Sequence, residues 1–243
     1  MTQGNLYIIP TPIGNLEDMT LRAIRILKEA DVVACEDTRH TQNLLSHFEI
    51  SKTLTSYHDF NKEEKAPVLV RLLLEGRQVA LVSDAGTPTV SDPGYLLINQ
   101  AIARGIKVIP LPGPSAVLTA LSASGLPTDG FIFSGFLPRK KAARLKMMEE
   151  LKETKKTLIF FESPHRILAV LDEFQIAFGD RRAVIARELT KKFEEFIYGT
   201  LSEIIHRKRQ LKGELTLLIE GKSKKNRLEK DSRDTQQENH DEK

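Results

Sequence analysis

The residues of this chain best placed to do chemistry lie in three polar loops, each of which directly follows a short apolar run. The richest is Ser83 to Gly94, SDAGTPTVSDPG, after the run Val79 to Val82. It holds Ser83, Asp84, Gly86, Pro88, Ser91, Asp92, Pro93 and Gly94, the residue types of tight turns and helix N-caps, with no apolar periodicity between them. Pro10 to Asn15 follows Leu6 to Ile9, and Pro112 to Ala116 follows Val108 to Leu111. In open α/β sheets ligands bind outside the carboxyl ends of the strands, where oriented backbone groups and short polar side chains reach them, so these loops should converge on one edge. None is a G-x-G-x-x-G or a P-loop, which speaks against dinucleotide and nucleoside triphosphate cradles. Proline-stiffened turns suit a ligand that needs amide contacts and no pyrophosphate clamp, such as a nucleoside or amino-acid derivative. The plain alternative for the Ser83 loop is a strand-to-helix connection capped by Ser91 or Asp92.

The elements that must position these loops follow from periodicity. Strands are expected at Leu6 to Ile9, Asp31 to Ala34, around Leu54, at Val79 to Val82 and at Val108 to Leu111. Between them run a stripe through Leu21, Ile24 and Leu27, a helix capped by Thr38, an amphipathic helix Lys62 to Leu74 ended by Gly76, and a helix through Leu96, Ile98 and Ile102. This alternation predicts a parallel sheet built from βαβ units. Past Gly125-Leu126-Pro127 the texture changes to strand-like runs FIFSGF, TLIFFES, AVIAREL and ELTLLIE. Helices are expected there at Lys140 to Glu153, His165 to Phe178 and Leu201 to Arg207, giving a second α/β lobe with a mixed sheet. The expected domains are 1–114 and 115–221, with 222–243 a disordered charged tail.

Composition sets the outer limits. A length of 243 residues with 40% hydrophobic content supports a substantial core. The single cysteine, Cys35, excludes an intramolecular disulfide and a cysteine-rich zinc site and suits a reducing cytosol. His40, His47 and His58 lack metal-ligand spacing, so no metal is expected. No apolar run approaches the roughly 20 residues of a membrane span, and the expected location is the cytoplasm. A net charge of +3 permits an anionic partner without demanding one.

The motifs TPIGNLEDMTLRA, CEDTRHT, LVSDAGTPTVSDPG, PLPGPSA, SGFLPRK, FFESPHR, ARELTKKFEE and KGELTL run in order from residue 11 to about 218. Together they resemble the tetrapyrrole methylase superfamily of S-adenosylmethionine-dependent enzymes, and within it the branch that 2′-O-methylates a cytidine ribose in the decoding region of 16S ribosomal RNA. The resemblance implies a two-lobed class III methyltransferase, with a parallel N-terminal sheet, a mixed C-terminal sheet and the cofactor cleft between them. Carried over by position, it implies that S-adenosylmethionine meets Pro12, Ile13, Asp84, Ala85, Thr87, Ser115 and Ala116 from the first lobe and Phe161, Ala186 and Glu214 from the second. It also implies a homodimer acting on 16S rRNA within the 30S subunit. One departure is Thr89, where the family usually has glycine, which predicts a less sharp turn.

Methyl transfer to a ribose hydroxyl is an in-line displacement that needs alignment and a proton acceptor. Candidate catalytic residues are Glu36, Asp37, Glu162, His165, Glu188 and Lys191, clustered in EDTR, ESPHR and RELTK. The bland alternative pairs Glu36, Asp37, Glu162 and Glu188 with Arg39, Arg166 and Arg187 as structural ion pairs. For RNA phosphates the candidates are Arg139, Lys140, Lys141 and Arg144; on residue type alone such a run usually means a solvated helix face, and it is the resemblance that turns the reading toward RNA. Two other readings stay open: a methylase of the same superfamily acting on a tetrapyrrole or a protein, and a non-catalytic nucleoside-binding module.

Overall fold

Runs of four apolar residues bounded by prolines, glycines and acids become strands, and the amphipathic stretches between them become helices. The computed structural model describes residues 2–222, so the expected tail falls, but for Lys222, outside the described residues. Two compact units part between Ala116 and Val117.

The first unit contains β1 (Leu6–Ile9), α1 (Leu21–Glu29), β2 (Val32–Cys35), α2 (Thr38–His47), β3 (Thr53–Ser56), α3 (Lys62–Leu74), β4 (Val79–Val82), α4 (Tyr95–Ile102) and β5 (Val108–Pro110). Its five strands are ordered β3-β2-β4-β1-β5 and every pairing is parallel. Val79 and Leu81 of β4 pack with Leu69, Leu73 and Leu97 of α3 and α4, while Ala80 and Val82 pack with Ile26, Leu27 and Leu45 of α1 and α2. Helices on both faces explain why the strands read as unbroken apolar runs rather than as alternation. Two expected caps are corrected. Asp37, not Thr38, caps α2 by accepting from the N–H groups of Arg39 and His40, and Gly94, not Ser91 or Asp92, stands at the N-cap of α4.

From the second unit come α5 (Ala116–Ala123), which starts at the boundary, β6 (Phe131–Phe136), α6 (Lys141–Leu151), β7 (Thr157–Glu162), α7 (Ile167–Phe178), β8 (Arg182–Arg187), β9 (Glu195–Thr200), α8 (Leu201–His206) and β10 (Leu215–Ile219). The sheet order is β6-β7-β10-β8-β9; β6 and β7 are parallel and the other pairings antiparallel, so the sheet is mixed. The edge strand β9 was not among the expected runs, because EFIYGT mixes an acid, a glycine and two aromatics and lacks a clean alternation. Its register against β8 supplies what the local sequence does not. Phe160 of β7 and Phe174 of α7, both fully buried with ring centroids 5.2 Å apart, anchor the core against α6, α7 and α8. Among the described residues no helix is long and apolar enough to cross a membrane.

Candidate functional site

Parallel strands all end at the same edge, and the order β4-β1-β5 makes the three polar loops neighbours there. They are stitched together by hydrogen bonds. Thr11 and Gly86 exchange backbone bonds of 2.9 Å in both directions. The buried Thr11 hydroxyl donates to the Ser83 carbonyl at 2.9 Å, and the Thr87 hydroxyl donates to the Pro114 carbonyl at 3.0 Å. Asp84 Oδ1 accepts from the Asp37 N–H at 3.2 Å, which ties in the turn after β2. Gly86 adopts φ +82°, a left-handed backbone that L side chains rarely take, so the turn that brings the second loop against Thr11 favours glycine. Pro12, Ile13, Asp84, Ala85, Thr87, Ser115 and Ala116 thus gather on this edge, with Ile13 buried as an apolar floor and Asp84 half-buried.

Carboxylates crowd the same place. Burial raises Glu36 above its ordinary value, and the charges of Asp84 and Asp59 raise it further. Asp92, half-buried, is pushed up to about 6 by burial first and the Glu36 charge next, with a Ser83 hydrogen bond working against them. Neither takes part in an ion pair among the described residues. Asp92 is the residue that sequence reasoning missed, having been read as a cap; its only sequence signal was a second acid in the loop of Asp84. Thr89 and Ser91, with φ of +76° and +72°, lie in the left-handed region. The turn at Thr89 is therefore as sharp as a glycine would make it, at a conformational cost, rather than relaxed as expected.

The second unit gathers its candidates at one end of its mixed sheet. Phe161, Thr216 and Ala186 are register partners on adjacent strands, and the rings of Phe133 and Phe136 pack at steep angles to Phe161, with centroids 4.9 and 5.4 Å away. Several of the expected proton acceptors are already engaged. Glu162, its side chain fully buried, binds Arg166 at 2.6 Å. Glu188 Oε1 accepts from the Glu214 N–H at 2.9 Å and from Lys191 Nζ at 3.1 Å, and the first of these bonds leads in holding its carboxyl below the ordinary value. A Cβ at Gly213 would collide with the Glu188 carboxylate, so a glycine with φ +86° precedes β10. Burial pulls Lys191 down, but its bonds to Glu214 and Glu188 outweigh that and keep it an ammonium. Asp37 is held low by the N–H groups of its own helix. His165 is exposed. The ion pairs anticipated by residue type hold for Glu162 and Arg166, whereas Arg187 turns to Glu195 and Glu188 to Lys191.

The basic segment divides. Arg139, Lys140 and Lys141 are exposed. Arg144 is not available to phosphate: its side chain is 9% exposed and grips Glu173 through two 2.8 Å bonds, a correction to its place among the RNA-facing cations. Among the described residues no group of three or more histidine, cysteine or acidic residues could hold a metal ion. A cavity of about 80 Å³ in the second unit, walled by Ile167, Leu171, Ile185 and Ile204 with Arg207 and Arg209, includes none of the expected site residues.

A family model described as Tetrapyrrole (Corrin/Porphyrin) Methylases matches residues 5–205. A protein of Halalkalibacterium halodurans named ribosomal RNA small subunit methyltransferase I is 56% identical over 225 residues, covering 92% of this chain and 78% of that one. Its namesake in Vibrio cholerae is 53% identical over 221 residues, covering 89% and 77%. Among solved structures, uroporphyrin-III C-methyltransferase from Thermus thermophilus, complexed with S-adenosylhomocysteine, shares the fold with a TM-score of 0.61 at 21% identity, covering 88% of this chain and 97% of that one.

Proposed function

Because the chain belongs to the tetrapyrrole (corrin/porphyrin) methylase family, we propose that it is an S-adenosylmethionine-dependent ribosomal RNA methyltransferase. Its product is a 2′-O-methylated cytidine in the decoding region of 16S rRNA, made on the 30S subunit by a cytoplasmic homodimer. The observation that carries the substrate is the 56% identity, over 225 residues, to a protein named for small-subunit rRNA methylation. The donor is supported by the first unit's edge, where Glu36, Asp84 and Asp92 crowd their charges and a cation would relieve the repulsion.

S-adenosylmethionine supplies, when bound, an electrophilic methyl group on a sulfonium cation. Asp84 and the backbone of the Ser83 and Pro112 loops would hold its polar groups, with Ile13 as an apolar wall and Thr87, Ser115 and Ala116 beside it. The ribose hydroxyl must lose a proton. Of the six candidates, Asp37 caps a helix, Glu162 binds Arg166, Glu188 braces β10, Lys191 stays charged and His165 is exposed to solvent. We assign proton acceptance to Glu36, whose raised basicity makes it a better acceptor than an ordinary carboxylate. Arg139, Lys140 and Lys141 meet RNA phosphates.

The test is tritium transfer from labelled donor to 30S subunits lacking the modification, followed by nuclease mapping. Label on a cytidine ribose is expected. Label on protein or on a tetrapyrrole, or donor binding with no transfer, overturns the assignment in favour of the other superfamily chemistry or a binding module.

A further inference from the structure

The loop between β6 and α6 joins an exposed basic run to two guanidinium groups that are not free. Arg144 spans two targets at once. Its Nε and Nη2 donate to Glu173, and its Nη1 donates to the carbonyls of Pro138 at 3.0 Å and Arg139 at 2.9 Å. Arg166 does the same from the start of α7. Its Nε and Nη2 bind Glu162 Oε1 at 3.0 and 2.6 Å, while Nη1 and Nη2 reach the carbonyls of Pro138 at 3.4 Å and Leu137 at 3.3 Å. Three consecutive carbonyls, of residues 137 to 139, are therefore tied to two acids on β7 and α7. Only a guanidinium can do this, because its five donors in a rigid plane serve a carboxylate and carbonyls together, where an ammonium cannot match the geometry. The chain leaves this clamp at Arg139, Lys140 and Lys141, all exposed, where α6 begins without a side-chain cap.

Resting on the RNA methyltransferase reading above, we propose that Arg144 and Arg166 are positioning residues for RNA binding: they touch no phosphate themselves and hold Arg139, Lys140 and Lys141 in one presentation. Prior ordering of the backbone removes an entropic cost that binding would otherwise meet, and loosening it should weaken affinity about tenfold. A lysine at either position keeps the charge and loses the fork.

The test uses the full-length chain with 30S subunits. Arg144→Lys should raise the KM for subunits about tenfold and leave kcat and donor affinity within about twofold. It should also speed tryptic cleavage after Arg139, Lys140 and Lys141, since a loop freed of its clamp reaches the protease. In a Lys140→Ala, Lys141→Ala background the KM penalty of Arg144→Lys should largely vanish, because a positioning residue has little left to position. A penalty of equal size in both backgrounds, or an unchanged KM with faster cleavage, overturns the proposal. If the double alanine variant alone leaves KM unchanged, the RNA role of the run fails while the cleavage result still reports on the clamp. Should Arg144→Lys not fold, Arg166→Lys, at a side chain more exposed than that of Arg144, carries the same cycle.

Discussion

Replacing Asp92 by asparagine probes the acidic edge most directly. The Asp92 carboxyl has a pKa of about 6, so its ionised fraction climbs from about one tenth at pH 5 to about nine tenths at pH 7. If a sulfonium cation binds best to the ionised form, S-adenosylmethionine affinity should rise up to about tenfold across that interval, or about 1.4 kcal/mol. S-adenosylhomocysteine lacks the sulfonium charge and should respond much less. Calorimetric titration of both ligands from pH 5 to pH 7.5, with wild type and Asp92→Asn, separates the contributions. The variant should flatten the S-adenosylmethionine slope. Stability should move the opposite way. A carboxyl whose pKa is raised on folding stabilises when protonated, and that contribution is lost as pH rises through about 6. The shift of about 2 units corresponds to about 3 kcal/mol at most, which screening at a half-exposed site reduces to about 1–2. Asp92→Asn should thus unfold at higher denaturant than wild type at pH 7.5 and match it near pH 3.5. Parallel pH profiles for the two ligands, or a slope that survives in the variant, would refute the assignment of this edge to a cationic donor.

Three further outcomes follow from the same geometry. Asp84→Ala removes the acceptor that ties the β2 and β4 turns together, and donor binding measured by calorimetry should weaken about tenfold or more, the scale of one charge-assisted hydrogen bond; an unchanged affinity removes Asp84 from the site. Thr89→Gly relieves a β-branched residue at φ +76° and, after the added entropy of glycine, should raise stability by up to about 1 kcal/mol in urea titration; a loss of stability would show that the side chain matters more than the strain. Phe174→Ala opens the centre of the second core and should cost about 3–5 kcal/mol, read from the midpoint of chemical unfolding.

The alternation of apolar runs with amphipathic stretches was enough to order the first unit, because strands buried on both faces and helices with one apolar stripe leave opposite periodicities in a chain. Lys62–Leu74 and Val79–Val82 fall where periodicity puts them. Turn chemistry also marked the three loops as neighbours in function before their strands could be ordered. Other features were settled only by residues distant in sequence. Arg144 looked like a member of a basic run until Glu173, on another helix, buried and neutralised it. By residue type Glu188 and Glu162 could be proton acceptors or members of ion pairs, and it was the Glu214 N–H and Arg166 that claimed them. Asp92 looked like a helix cap until burial and the charge of Glu36, brought in from the end of β2, raised its pKa. Edge strand β9 needed the register of β8 to become a strand at all. Local sequence determines which conformations are cheap and where polar groups cluster, but a charge takes its role from its surroundings. Those surroundings are assembled only when the strands are ordered and the loops are brought side by side.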